Sequence, residues 1–208
     1  VAQAWSNGGT WTYGGQAMSF DGTDDYVSLG TSSTLAPNQF TREVWFYMTA
    51  TPNPSSYIFS GKGAFVELYP TSFALWLWNG TSYVSVNSGT YAPQLNVWTH
   101  FVVTYNGSTA RIYVNGVDKG SAALTYVPVA DELRIGASPT TTILFNGRID
   151  EVKIYNRALS ADEIAQRYNA GTPKVRHDYA DVRFTNASGA TEFPYWQDTD
   201  SKFWVQVD

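Results

Sequence analysis

Apolar and polar residues alternate with a period of two along most of the chain, the pattern of half-buried strands. In residues 40–48, Val44, Phe46 and Met48 fall on one face and Glu43, Trp45 and Tyr47 on the other, until Pro52 and Pro54 break the run. Residues 57–60 and 64–69 predict further strands, joined through Gly61, Lys62 and Gly63. Residues 73–78 are apolar in both phases, with Phe73, Leu75 and Leu77 on one side and Trp76 and Trp78 on the other. A strand wet on one side would be polar in one phase. Either a second layer covers the two tryptophans or they form a platform for a ligand.

Residues 98–105 and 110–114 flank Asn106-Gly107, and Asn115-Gly116 leads into residues 117–120. Asn-Gly between alternating strands predicts a hairpin whose turn residues both take positive φ. Two in succession predict an antiparallel meander. Nearer the start, residues 17–29 predict two short strands around a turn at Gly22, Thr23, Asp24 and Asp25, and residues 31–39 a polar loop. Residues 133–136 add a strand ahead of residues 145–160, where Ile149, Val152 and Ile154 anchor a core strand running into a helix. Ser160 fits the N-cap and Glu163 the reciprocal position of a capping box, with Leu159 and Ile164 placed to form a hydrophobic staple. Gly171 suits the C-cap, and Pro173 prevents resumption. One helix after a long succession of strands predicts an all-β fold, an antiparallel β-sandwich with one short C-terminal helix.

Length adds that 208 residues form one ordinary domain, or one domain with an appendage. Residues 1–171 suit the sandwich. Strands at 181–185 and 203–207 sit in a tail, 172–208, too short to hold its own core, so it packs on the sandwich or on another chain. Cysteine is absent, which removes disulfides and thiolate chemistry. The net charge of −5, with its 13 basic residues scattered, argues against nucleic acid. No apolar run is long enough to insert in a membrane. The chain opens at Val1 without a signal-peptide pattern, as if processed or excised. Aromatic residues make up 16%, including 8 Trp and 14 Tyr, which agrees with strands and also suits a surface that stacks against sugars.

Few residues offer catalysis. Glu43 and Glu67 stand alone on their strands, whereas glycoside hydrolysis needs two carboxylates flanking one bond. His100 and His177 lie in different segments without a partner motif, and His100 reads as core. Asp150, between apolar neighbours in a core strand, calls for a partner or a metal, since a buried lone charge is costly. Asp21, Asp24 and Asp25 form a second acidic group that turn chemistry alone would explain. Carbohydrate binding rests on Trp76 and Trp78, with Asn79 and Tyr83 near the following turn. Asn79, Asn106 and Asn186 each begin a glycosylation sequon.

Five stretches together carry a family likeness: MSFDGTDDYV at 18–27, WTHFVVTY at 98–105, RIYVNG at 111–116, LRIG at 133–136 and FNGRIDEVKIYNRALS at 145–160. In this order and spacing the chain resembles the laminin-G-like group of concanavalin A-like lectin/glucanase jelly rolls over about residues 15–171. The resemblance implies a structural Ca²⁺ held by Asp150 and a backbone carbonyl at Gly22. It also implies an extra first strand, for which only sixteen residues precede Ala17. The paired-carboxylate pattern Glu-x-Asp-x-x-Glu of the superfamily's glucanases is missing. The tail resembles the start of a β module of unknown function found beside such domains in prokaryotic surface proteins. The expectation is a non-enzymatic, secreted or surface-displayed recognition or adhesion module that binds a glycan or surface polysaccharide. The alternative is a structural subunit of an extracellular filament or layer, joined to copies of itself by strand donation.

Overall fold

The structure, a computed structural model, describes residues 2–3, 17–170, 195–197 and 203–205. Its strands are β1 (Ala2–Gln3), β2 (Met18–Asp21), β3 (Val27–Thr31), β4 (Phe40–Met48), β5 (Ser56–Ser60), β6 (Ala64–Leu68), β7 (Phe73–Trp78), β8 (Tyr83–Asn87), β9 (Trp98–Tyr105), β10 (Thr109–Val114), β11 (Val117–Ala123), β12 (Glu132–Ile135), β13 (Asn146–Tyr155), β14 (Tyr195–Gln197) and β15 (Phe203–Val205). One α-helix, α1 (Ala161–Asn169), follows β13 among the described residues.

The strands form two six-stranded sheets, a back sheet in the order β11-β10-β9-β4-β13-β2 and a front sheet in the order β3-β12-β5-β6-β7-β8. Every pairing between strands of these two sheets is antiparallel. The fold is the predicted antiparallel β-sandwich. Its core follows from the alternation: Val44, Phe46 and Met48 face inward from β4, in one cluster with Val66 and Leu68 of β6 and Phe73, Leu75 and Leu77 of β7. Phe46 packs edge-on against Phe73 across the sheets at 5.9 Å and against Phe145 at 6.2 Å. Burying each such side chain contributes about 1.5–3 kcal/mol.

The Asn115-Gly116 turn takes the expected form, with φ of 52° and 77°. The turn at Asn106 differs. Only Gly107 has positive φ there, and Asn106 Oδ1 instead accepts the N–H groups of Ser108 and Thr109. The link from β9 to β10 is therefore longer than a two-residue turn. Strand β8 adds to the strands that periodicity predicts. Its inward Val84 and Val86 are few, and its outward Tyr83, Ser85 and Asn87 resemble a loop. At Gly147 the backbone of β13 comes so close to β4 that an added Cβ would lie 2.1 Å from the Tyr47 carbonyl oxygen.

Helix α1 begins as predicted: the Ser160 side chain accepts the Glu163 N–H and the Glu163 carboxylate accepts the Ser160 N–H. Arg157 and that N–H hold Glu163 down to about 2. Leu159 and Ile164 pack with Val102, Tyr113 and Tyr155 on the outer face of the back sheet. Gly171 and the strand expected at 181–185 lie outside the described residues, as does most of the tail. Of the tail, β14 and β15 are described. They form a small separate sheet with β1, in which Ala2 pairs with Val205 and Gln3 with Trp204.

Candidate functional site

The outward positions of the front sheet follow from the same alternation that builds the core. On β6, Ala64, Val66 and Leu68 face in, so Phe65 and Glu67 face out. On β7, Trp76 and Trp78 are the half-buried positions beside fully buried Leu75 and Leu77. Cross-strand register sets Phe65 opposite Trp76, Trp76 opposite Ser85, and Trp78 opposite Tyr83. Sheet geometry therefore gathers aromatic rings from four strands onto one face.

The rings form a continuous array. Phe65 stacks on Trp76 at 6.0 Å, with 19° between planes. Tyr57 lies 5.7 Å from Phe65. Tyr83 meets Phe65 and Trp78 edge-on, each at 5.2 Å. Tyr83 is 40% exposed and its hydroxyl donates to the Lys62 carbonyl at 2.7 Å, which fixes its ring at the rim. The helix lies on the other sheet, and the small terminal sheet meets the front sheet at β3, the edge opposite β8. The two tryptophans are neither fully covered nor fully free.

Polar groups are set into the array. The Tyr69 hydroxyl donates to Glu67 Oε2 at 2.5 Å. Burial first, then the Glu67 carboxylate, pushes Tyr69 up to about 12, and the same two causes raise Tyr57 above the tyrosine range. Both phenols therefore stay protonated donors at neutral pH. Among the described residues, the buried Trp76 indole N–H has no hydrogen-bond partner. Such a face can offer ring planes to the C–H surfaces of a sugar and a carboxylate and hydroxyls to its edges.

Of the residues expected in a carbohydrate site, the structure brings Trp76, Trp78 and Tyr83 together. Asn79 serves the turn instead, because its Oδ1 accepts the N–H groups of Thr81 and Ser82 and so locks the link between β7 and β8. Tyr57, Phe65, Glu67 and Tyr69 join the face beyond the expected residues. The signal was there in the alternation of residues 64–69, which puts positions 65, 67 and 69 on one side.

Gly22 and Asp150 are not brought together. Asp21 pairs with Asn146, and a Cβ on Gly22 would touch the Asn146 side chain at 3.0 Å. Asp150 lies further along β13, a distance of about 13 Å for four residues of strand. It is half-buried rather than sealed in the core, and its Oδ1 accepts the Glu151 N–H at 2.8 Å. Glu151 has φ of 52°, and the pairing of β13 with β4 shifts register between Asp150 and Lys153. Asp150 thus caps a β-bulge.

A second polar cluster lies under α1. His100 Nε2 and Glu43 Oε1 are 3.0 Å apart, with both side chains almost wholly buried. Tyr155 donates to Glu43 at 3.4 Å and Arg167 lies 3.5 Å from it. Burial pushes Glu43 up, but His100, Lys153 and Arg167 outweigh it and hold the carboxyl below its ordinary value. The His100 ring contacts those of Trp45 and of Tyr168 on the helix, so this pair is roofed over and closed to a substrate.

A laminin-G family model, described as the concanavalin A-like lectin/glucanases superfamily, matches residues 21–165. No sequence among the curated proteins matches the chain. Among solved structures, the binding domain of Paraclostridial Mosquitocidal Protein 1 superposes with a TM-score of 0.66 at 14% identity, over 81% of this chain and 47% of that one. Domain 4 of AbnA, a GH43 extracellular arabinanase from Geobacillus stearothermophilus, in complex with arabinotriose, gives 0.65 at 20% identity, over 77% and 81%. The binding domain of botulinum neurotoxin serotype G gives 0.62 at 16% identity, over 80% and 46%. The chain spans about half the length of the two toxin domains. These likenesses concern the fold.

Proposed function

Because this chain belongs to the concanavalin A-like lectin/glucanases superfamily, we propose that it is a non-enzymatic carbohydrate-recognition module of a secreted or cell-surface protein, binding glycan through the aromatic face of its front sheet. Trp76, Trp78, Phe65 and Tyr83 supply stacking surfaces, and Glu67 with Tyr69 supplies hydrogen bonds at the edge. The observation that carries this reading is the continuous, half-buried ring array on the outward side of the front sheet, away from the helix. A contiguous apolar surface left outside the core, rimmed by polar groups, is the mark of a docking face.

The structural neighbours support a binding role: two are binding domains of toxins and one is an arabinanase domain solved with arabinotriose. The disposition of carboxylates supports the absence of hydrolysis. Glu67 is engaged by Tyr69, and Asp131, near the rim, is paired with Lys62 at 3.5 Å. Each of these carboxylates is thus held by another side chain, whereas glycosidic cleavage uses two carboxylates flanking one bond.

Affinity electrophoresis against a panel of neutral and acidic polysaccharides tests the reading. The wild type should be retarded by at least one of them, and Trp76→Ala and Trp78→Ala should each weaken retention about tenfold, or ~1.4 kcal/mol, with unchanged circular dichroism. If both variants unfold, the tryptophans are structural and the site is elsewhere. Release of reducing sugar from any of the polysaccharides would make the module an enzyme.

A further inference from the structure

Strands β13, β4 and β9 lie side by side inside the back sheet, and their register sets Arg148 opposite Tyr47 and Tyr47 opposite Trp98. Val44, Phe46 and Met48 face the core, so Tyr47 and its two partners face outward. In the row formed by Trp45 and His100, Tyr168 of α1 packs on both rings at 6.0 Å. The Arg148 row is two residues further along β4 and β9, about 7 Å away. It stays accessible: Tyr47 and Trp98 are half-buried and Arg148 is exposed. The two aromatic rings are 5.7 Å apart, and the Arg148 guanidinium lies over Tyr47 at 5.6 Å.

The charge of Arg148 is left over. Among the described residues it enters none of the ion pairs, whereas Arg111, Arg134, Arg157 and Arg167 are each held by a carboxylate. In a chain of net charge −5 this gives the row a sign opposite to that of the molecule. A guanidinium over a ring is held in place by the ring's electrons and keeps its N–H edge for a carboxylate.

We propose that this row is a second binding site, on the sheet opposite the aromatic face, for a uronic acid residue of an acidic polysaccharide. The sugar ring lies against Trp98 and Tyr47, and its carboxylate meets the N–H groups of Arg148. A peptide added as a strand would need free backbone groups, but the backbone at Arg148 and Tyr47 is paired on both sides. A single cation is too few to hold a nucleic-acid backbone. An anionic sugar needs only what the row supplies.

Affinity electrophoresis of the full chain in polygalacturonate, alginate or hyaluronate tests the site. Each polymer is run beside its methyl ester, the same backbone without the charge, and beside dextran sulfate, a charge without the carboxylate. At least one uronate should retard the wild type, and its ester should not. Arg148→Gln alters an exposed side chain, so it should fold and lose retention about tenfold. Arg148→Lys keeps the charge without the fork and should restore only part of it. Trp76→Ala should keep uronate retention, and Arg148→Gln should leave retention by neutral polysaccharides as it is. Three results would overturn the site: no retention by any uronate, equal retention by dextran sulfate, or uronate retention that survives Arg148→Gln and is lost in Trp76→Ala. The last would place acidic sugars on the front sheet and leave the reading of that face standing.

Discussion

At the scale of single residues, the Glu43–His100 pair shows a charge that the fold can bury because it is surrounded. Truncating His100 would leave Glu43 sealed with fewer partners, and breaking a buried pair in this way costs about 3–5 kcal/mol. The Glu43 carboxyl is held below its ordinary value of 4.5. Its contribution to stability is therefore complete above that pH and is lost as pH falls through the depressed value. Thermal melts should show a plateau above about pH 4.5 and a fall below it. Glu43→Gln should lower the plateau and flatten the acid limb; an unchanged profile would show that the carboxylate is not the group concerned. The sequence announced His100 as core, yet its partner lies 57 residues away. The register of β4 on β9, which sets Trp45 opposite His100, brings Glu43, on the same face as Trp45, within reach.

At the scale of elements, the helix start was the most legible feature of the chain. Ser160, Glu163, Leu159 and Ile164 are local, and local rules suffice for a cap and a staple. Ser160→Ala should cost about 1 kcal/mol in chemical denaturation. Ile164→Ala should cost about 2–5 kcal/mol, because Ile164 packs with Val102, Tyr113 and Tyr155 against the back sheet. Equal losses from the two substitutions would mean that the helix is held by its cap rather than by its packing. Strand β8 and the turn at Asn106 were harder to read. A short strand with alternate polar positions has no signature until its neighbour β7 is in place. The Asn106 turn depended on a side-chain oxygen accepting two N–H groups, which dipeptide preferences do not encode. The bulge at Asp150 belongs to the same class. An acid that looked like a lone charge in a regular strand sits where the strand is irregular.

At the scale of the whole molecule, the sandwich was legible because a repeated period of two leaves few other architectures. The aromatic face was legible only in part. Trp76 and Trp78 advertised themselves by filling the wrong phase of an apolar strand, while Phe65, Glu67 and Tyr57 needed the register of β5, β6 and β7 to join them. The terminal strands bear on assembly. β1 pairs with β15 of its own chain, in a sheet separate from the two of the sandwich. Light scattering across a wide range of concentration should return the monomer mass. Growth of mass with concentration would favour the filament reading instead.

The ring array sits on paired strands, not on loops, and this bears on how such a module changes over time. Each outward side chain of β5 to β8 can be exchanged while its backbone hydrogen bonds and its inward neighbours stay as they are. On the proposed binding role, ligand preference can therefore drift one ring or one carboxylate at a time, without an intermediate that fails to fold. The sandwich serves as a type-frame in which Tyr57, Phe65, Glu67, Trp76, Trp78 and Tyr83 are the movable letters.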